Sequence, residues 1–328
     1  MKAAWPDYGG TEAFSRRVFF QIGASLTAVA AAPPAAGKPL RGIFPIAQTP
    51  FTEENKLDLE VLVAQLRFLN NCGVHGVVWP QLASEWDMLS ESERMAGMEA
   101  LASEGKKLRP AIVLGVQAVE ASAAIRYARH AEKVGADAVI ALPPPGGFDH
   151  KALIYYYKGI GAATPLPLFA QAVGNLTVDQ VVEISRAVPT LKHVKDEAGE
   201  PLLRIGPLRE QSGGALSIFT GAHGRTMLDE MSRGSAGSMP AASFADLYAV
   251  VWDLWQAGKR KEAMDVFSKT SLLINEVQAY GIESLKYILQ LRGVFKTWHV
   301  RKGGGRLDAS GRKLLAEMLE FARPHLRV

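Results

Sequence analysis

Residues 191–199 read Leu-Lys-His-Val-Lys-Asp-Glu-Ala-Gly, and this stretch predicts how the rest of the chain is arranged. Its partly apolar first half has the character of a short strand that ends at Lys195, and two carboxylates and a glycine follow at once. A lysine at the end of a buried strand can lie in a dry pocket, where desolvation disfavours the ammonium and leaves a nucleophilic amine. The pattern therefore offers two interpretations of Lys195: an amine that forms Schiff bases, or a solvated lysine just past a strand.

Short apolar runs like this one recur along the chain and alternate with amphipathic stretches. The runs are 42–47, 76–79, 110–114, 138–142, 167–171, 191–195, 216–220 and 237–239. The amphipathic stretches are 57–70, 90–103, 119–134, 150–162, 178–187, 202–210 and 225–232. Continuous apolar strands separated by helices indicate a parallel sheet covered on both faces.

Eight such units predict an α/β fold of the (β/α)8 TIM-barrel type. Gly73 and Gly135 each end a predicted helix just before a strand, so the same turn is expected twice. A doubly wound open sheet is the competing fold, but no G-x-G-x-x-G motif follows the first strand. The barrel is favoured on this ground. Beyond about residue 243 only helical patterns remain, at 247–257, 260–280, 282–292 and 310–322.

The amino terminus has the features of a targeting segment. Arg16 and Arg17 form a twin-arginine pair, an acid-free apolar run follows at 18–32, and Ala28 and Ala30 fit a cleavage site. The predicted organisation is a Tat-type signal at 1–37, a barrel at 38–258 and a helical region at 259–328. This segment predicts export to the periplasm, or a cytoplasmic protein if the signal is not used, with no membrane span after its removal.

Composition narrows the classes of function. The 328 residues are 48% hydrophobic and 21% charged, and the formal net charge is +4. Because the basic residues are not concentrated on one face, nucleic acid is not an expected partner. The single cysteine, Cys72, excludes an intrachain disulfide, and the histidines and carboxylates show no metal-ligand spacing, so no metal site is expected.

Barrel chemistry lies at the carboxyl ends of the strands, so the residues there are the candidates. Catalytic candidates are Lys195, Glu197 and Asp196. The substrate-binding candidates are Thr49, Ala83, Ser84, Glu85, Gln171, His223 and Met239. For Glu85 and His223 a structural role is an equal or better interpretation, and Trp86 and Phe148 either line the pocket or close the barrel.

Several of these positions resemble the dihydrodipicolinate synthase / N-acetylneuraminate lyase family. The resemblance rests on Thr49-Pro50-Phe51, on Glu85 with Leu89-Ser90, on Val194-Lys195-Asp196, and on Gly234 and Gly237, and it extends to the helical tail with Lys286. It implies a class I aldolase or lyase, in which Lys195 condenses with pyruvate or another 2-oxo acid without a cofactor. It also implies a homo-oligomer, a dimer or tetramer.

The departures from that family limit the substrate. The common Gly-Thr-Thr-Gly-Glu loop is replaced by residues 81–85, which lack both threonines and leave the amides near Ala83 and Ser84, or the Ser84 hydroxyl, to bind a carboxylate. Pro144 stands where the family has a proton-relaying tyrosine, and Leu176 stands near the place of an arginine that binds a second carboxylate. Lysine biosynthesis is therefore not expected.

Without that phenol another group must carry the proton, and the candidates are Glu197, Asp196, His223 and water. A tyrosine of 155–157 is disfavoured because that run should lie inside a helix. The leading hypothesis is an imine-forming aldolase or lyase acting on a 2-oxo acid, with sugar-acid derivatives among the candidate substrates. An imine-dependent dehydratase or hydratase and a non-catalytic ligand-binding barrel remain alternatives.

Overall fold

Eight parallel strands alternate with helices in the computed structural model, which describes residues 37–145 and 149–328. The strands are β1 Gly42–Ile43, β2 Gly76–Trp79, β3 Ala111–Gly115, β4 Ala138–Ala141, β5 Leu168–Ala172, β6 Leu191–Asp196, β7 Ser217–Thr220 and β8 Gly237–Ser238. They form one sheet in which each strand pairs with its successor from β2 to β8, and β8 pairs with β1.

The barrel closes between β1 and β2 through irregular backbone. Ile46 bridges to Val78, and the Ala47 N–H donates to the Val78 carbonyl at 2.9 Å. The first strand was expected to span 42–47, but regular pairing ends at Ile43. Pro45 explains the difference, because proline has no N–H to donate to the ladder. The nearly closed ring of eight strands confirms the predicted (β/α)8 barrel.

Helices separate the strands at the predicted places. They are α1 Leu59–Asn71, α2 Glu91–Gly105, α3 Ala121–Val134, α4 His150–Ala163, α5 Val178–Ala187, α6 Pro201–Gln211 and α7 Met227–Ser232. Side chains at Asp58, Ser90, Asp149 and Thr177 accept hydrogen bonds from the first turns of α1, α2, α4 and α5, which fixes where these helices begin. Gly73 and Gly135, just after α1 and α3, have φ of 79° and 86°, as the repeated turn predicted.

The C-terminal helices are α8 Ala245–Gln256, α9 Arg260–Tyr280, α10 Ile282–Leu291 and α11 Ala309–Ala322. The predicted boundary at residue 258 falls in the turn between α8 and α9, and α9 packs on both α8 and α11. Among the described residues, no helix combines the length and apolar character needed to cross a membrane. The expected signal segment at 1–37 lies outside the described residues except for Gly37.

An aromatic layer fills the barrel below the end of β6. The His193 ring stacks on Phe169 with centroids 4.2 Å apart and meets Phe219 edge-on at 6.3 Å. Its Nδ1 atom is buried and has no hydrogen-bond partner among the described residues. Burial lowers the pKa of His193 to about 4. The imidazole is therefore neutral in the folded protein at neutral pH.

His193 is expected to make the fold sensitive to acid. The folded pKa of His193 lies below the unfolded value near 6.5, so the unfolded chain binds more protons than the folded one between pH 6.5 and 4. As the pH is lowered through that window, the free energy of unfolding should fall by at most about 3 kcal/mol because of His193. In His193→Phe the part of the acid-induced loss of stability that comes from His193 should be absent. Urea unfolding at pH 7.5, 6, 5 and 4.5 measures it. Parallel pH profiles for the two proteins would show that His193 does not carry the effect.

Candidate active site

The alternation of side chains along β6 divides its polar residues between two environments. Lys195 and Glu197 are two positions apart and share one face, and the Lys195 Nζ lies 2.9 Å from Glu197 Oε2. Asp196 faces the other way, and its buried carboxylate accepts a hydrogen bond from Arg204 Nε on α6 at 2.8 Å. Burial raises the pKa of Asp196, against the opposing effect of Arg204. Asp196 thus links β6 to α6 and is not part of the lysine cluster.

Both oxygens of Glu197 are hydrogen-bonded. Gln171 Nε2 donates to Oε2 at 2.5 Å, and the Ala222 N–H donates to Oε1 at 2.8 Å. Burial would raise the pKa of Glu197, but the Lys195 charge and the hydrogen bonds from Lys195, Ala222 and Gln171 outweigh it and lower the pKa below 4.5. Glu197 is therefore an oriented carboxylate anion at neutral pH.

His223 lies beside this ion pair in the turn after β7. Ala222 and His223 both have left-handed backbone conformations, with φ of 48° and 56°. The Tyr248 hydroxyl donates to the His223 carbonyl at 2.5 Å and holds the turn. Burial lowers the pKa of His223. The Glu197 charge opposes this shift, and the Lys195 charge adds to it. The turn thus presents the Ala222 N–H to Glu197 and a neutral imidazole to the cavity.

A cavity of about 270 Å³ opens above Lys195 at the carboxyl ends of the strands. Five of the predicted site residues line it, namely Ala83, Lys195, Glu197, His223 and Met239. Its other lining residues are Ile46, Gln81, Leu82, Ala222, Pro240, Ala241, Gly281, Ile282 and Leu285. The candidates Thr49, Ser84, Glu85, Gln171 and Asp196 are not among the lining residues. The last three lining residues come from the start of α10, a contribution that no sequence motif indicated.

Thr49 and Ser84 support the loop after β2 from beneath. The Ser84 hydroxyl donates to the Ala47 carbonyl at 2.6 Å and accepts from the Gln81 N–H at 3.0 Å. The Thr49 hydroxyl donates to the Ser84 carbonyl at 2.5 Å and accepts from Trp79 Nε1 at 3.0 Å. Both side chains are buried, and these bonds occupy their hydroxyl protons. They shape the loop after β2 and leave the backbone near Ala83 at the cavity wall.

Glu85 ends the same loop and forms a buried ion pair with the C-terminal region. Its Oε1 lies 2.5 Å from Lys286 Nζ, and its Oε2 accepts the N–H groups of Arg301 and Lys302 at 2.7 Å each. Both charged side chains are fully buried. The Lys286 ammonium also lies 4.5 Å from the ring centroid of Phe51. Burial lowers the pKa of Lys286 to about 8, although Glu85 opposes the shift. The pair joins the loop after β2 to α10.

Replacing Lys286 with methionine is expected to lower the free energy of unfolding by about 3–5 kcal/mol, because the Glu85 carboxylate would stay buried without its cation. Urea unfolding at pH 7.5 measures the change. In the double variant Glu85→Gln with Lys286→Met, the uncompensated charge is gone and part of the loss should return. A Lys286→Met protein within 0.5 kcal/mol of the wild type would contradict the structural role given to this pair.

The tyrosine run lies inside α4, as predicted. The Tyr157 hydroxyl donates to the Ala141 carbonyl at 2.9 Å, Tyr156 accepts the Ala118 N–H at 3.1 Å, and Tyr155 is 80% exposed. None of the three lines the cavity. Leu176 is buried in the hydrophobic core and Phe148 lies outside the described residues.

Trp86 was expected either to line the pocket or to close the barrel, and it does not line the cavity. The Arg94 guanidinium lies 5.7 Å from the centroid of its ring. Within the part of the chain that the structure describes, no group of three or more histidine, cysteine or acidic side chains is arranged to hold a metal ion.

Comparison with known proteins identifies the family of the chain. The model of the dihydrodipicolinate synthetase family matches residues 39–322. The chain belongs to this family. A DapA-like lyase of Thermococcus onnurineus is 25% identical over 308 residues, covering 85% of this chain and 100% of the relative.

One further relative and one solved structure carry the names of two different enzymes. The L-2-keto-3-deoxyarabonate dehydratase of Azospirillum brasilense is 25% identical over 293 residues, covering 86% of this chain and 94% of the relative. The solved sialic acid aldolase of Ruminococcus gnavus has a TM-score of 0.80 at 22% identity, covering 87% of this chain and 99% of that chain, a likeness of fold. Membership of this family, with a lyase and a dehydratase among the relatives, supports enzymatic activity for the chain.

Proposed function

We propose that the protein is a class I lyase in which Lys195 forms an imine with the carbonyl of a 2-oxo acid. The observation that carries the proposal is the contact of 2.9 Å between Lys195 Nζ and Glu197 Oε2 inside a cavity at the carboxyl ends of the barrel strands. Lys195 is 5% exposed, so water has little access to it. A nucleophilic amine next to a general base is the arrangement that covalent amine catalysis needs.

Imine formation begins when Lys195 gives its ammonium proton to Glu197 or to water and the free amine attacks the C2 carbonyl, and water then leaves the resulting carbinolamine. The protonated imine then accepts the electron pair of a bond broken at C3, and an enamine forms. In the aldolase direction the broken bond joins C3 to C4, the C4 hydroxyl gives its proton to a base, and the C4 fragment leaves as an aldehyde. In proton exchange it is a C3–H bond, and the proton goes to a nearby base. The enamine regains a proton at C3, and hydrolysis of the imine releases the 2-oxo acid and restores the lysine.

Glu197 is the proton carrier that we propose in place of the missing phenol. Its carboxylate is ionised and held by Gln171 and the Ala222 N–H, and it contacts the amine that becomes the imine nitrogen. His223 lines the same cavity and is the nearest alternative. General acid–base help of this kind is typically worth about 100 to 10,000-fold in rate.

A dehydratase is the second candidate, because the same enamine can expel a hydroxide from C4 and because one relative is named as a dehydratase. Lysine biosynthesis is disfavoured by the buried position of Leu176 and by the absence of arginine from the described lining of the cavity. A barrel that binds a ligand without catalysis is the remaining alternative. It predicts that no enamine forms.

Proton exchange at the methyl group of pyruvate tests the proposal without knowledge of a second substrate. In D2O, a protein that forms the imine and its enamine should replace the methyl protons of pyruvate with deuterium, and proton NMR follows the loss of the methyl signal. We expect exchange well above the rate of the buffer. A folded protein that accelerates exchange with neither pyruvate nor 2-oxobutanoate would favour the non-catalytic alternative.

A further inference from the structure

The walls of the cavity differ sharply in chemistry from its floor. The ionisable lining residues are Lys195, Glu197 and His223, and they lie together. The rest of the described lining is mostly aliphatic: Ile46, Leu82, Ala83, Ala222, Met239, Pro240, Ala241, Ile282 and Leu285. Gln81 is the one other polar side chain of the described lining; its Nε2 donates to Gln117 Oε1 at 2.9 Å, and its buried Oε1 has no hydrogen-bond partner among the described residues. The cavity thus has a reactive floor and an apolar wall.

Beyond the single acceptor that Gln81 offers, a polyhydroxylated chain bound against this wall would lose its hydrogen bonds to water without replacing them. Each hydroxyl buried without a partner weakens binding, whereas each methylene that leaves water strengthens it. Leu82 is 47% exposed at the mouth, and Ile282 is half-buried at the start of α10. Both offer apolar surface that a substrate chain could cover.

We infer that the substrate, given the imine chemistry proposed above, is a 2-oxo acid whose chain beyond C3 is apolar, and not a sugar acid. The carbonyl end meets Lys195 and Glu197, and the chain lies along Leu82, Met239, Ile282 and Leu285. This inference differs from the expectation of a sugar-acid derivative and from the activity named for the Azospirillum relative. It assigns a chemical class to the substrate that forms the imine with Lys195.

Two acids of equal length separate the alternatives: 2-oxohexanoate, and a six-carbon 2-oxo-3-deoxy acid with hydroxyls at C4, C5 and C6. Each is trapped on the protein with borohydride over a range of concentrations, with pyruvate as the reference, and intact mass measures the adduct. Concentrations of the sugar acid are corrected for its open-chain fraction by NMR. Each buried methylene is worth about fourfold. The three extra carbons of 2-oxohexanoate would give about sixtyfold if all were fully buried. Because Leu82 and Ile282 are partly exposed, we expect half-maximal trapping by 2-oxohexanoate at a concentration at least about tenfold below that for pyruvate, and no such gain for the sugar acid.

Variants of the wall check the origin of the preference. Leu82→Ser and Ile282→Asn, at positions that are not fully buried, should each reduce the preference for 2-oxohexanoate over pyruvate severalfold, while Ile282→Val should retain most of it. Trapping of the sugar acid at concentrations equal to or below those for 2-oxohexanoate would overturn the inference and leave the imine proposal intact. No adduct with any of the acids, pyruvate included, would overturn both.

Discussion

Lys195→Ala is expected to reduce the exchange of pyruvate methyl protons to the rate of the buffer alone. Without the amine no imine forms, and no other described lysine lines the cavity to replace it. Proton NMR in D2O measures the rate, and circular dichroism shows whether the variant is folded. The predicted effect is larger than that of any other single substitution considered for this protein.

Lys192→Ala provides the matched control. Lys192 lies on the same strand, β6, but its side chain is exposed. Its loss should leave exchange within about twofold of the wild type, as is usual for a surface substitution away from the site. Exchange that survives Lys195→Ala would show that another group carries the chemistry, and equal losses in the two variants would point to the strand and not to the amine.

Glu197→Gln is expected to slow exchange by about 100 to 10,000-fold while borohydride still traps an adduct on the protein. The amide keeps the size of the side chain but cannot take a proton from C3. The comparison of exchange with trapping separates loss of the proton carrier from loss of imine formation. Glu200→Gln, at an exposed position of the loop that follows, should change neither measurement.

The pH profile of exchange gives a second test of Glu197. Its pKa lies below 4.5, because the Lys195 charge and three hydrogen bonds outweigh burial. The carboxylate therefore stays ionised at mildly acidic pH, so the decline of exchange that comes from protonation of Glu197 should lie below the usual range of glutamate and be absent from Glu197→Gln. If loss of Glu197 left the rate unchanged at all pH values, His223 or water would become the proton carrier.

The periodic parts of the fold could be predicted from the sequence because they repeat a simple pattern. Eight apolar runs of strand length alternate with seven amphipathic stretches, and the glycines at 73 and 135 have the positive φ expected just after a helix. The observed strand ends differ from the predicted ones where a local residue interrupts the pairing, as Pro45 does in the first strand. The barrel mouth, and with it the neighbourhood of Lys195, followed from the order of the strands.

The detailed site could not be predicted in the same way. Asp196 and Glu197 are adjacent in sequence and were both expected near the lysine, but the strand continues through Asp196 and alternation turns it toward Arg204. Ser84 was expected at the substrate, yet its hydroxyl bonds the Ala47 carbonyl, a group 37 positions away that no local pattern reveals.

Backbone conformation accounts for the other surprises. Glu85 has a left-handed backbone with φ of 54°, and its carboxylate points to Lys286, 201 positions away. Ala222 and His223 also adopt left-handed conformations, which are uncommon for residues other than glycine and have no sequence signature here. The N–H of Ala222 reaches Glu197 only because of this turn.

The most direct test of the central claim is the position of the covalent adduct. The protein is incubated with pyruvate or 2-oxohexanoate and borohydride, digested, and the modified peptide is sequenced by mass spectrometry. The account predicts one reduced adduct, located on Lys195 and absent from Lys195→Ala. An adduct on another lysine, or none from a folded protein, would contradict it.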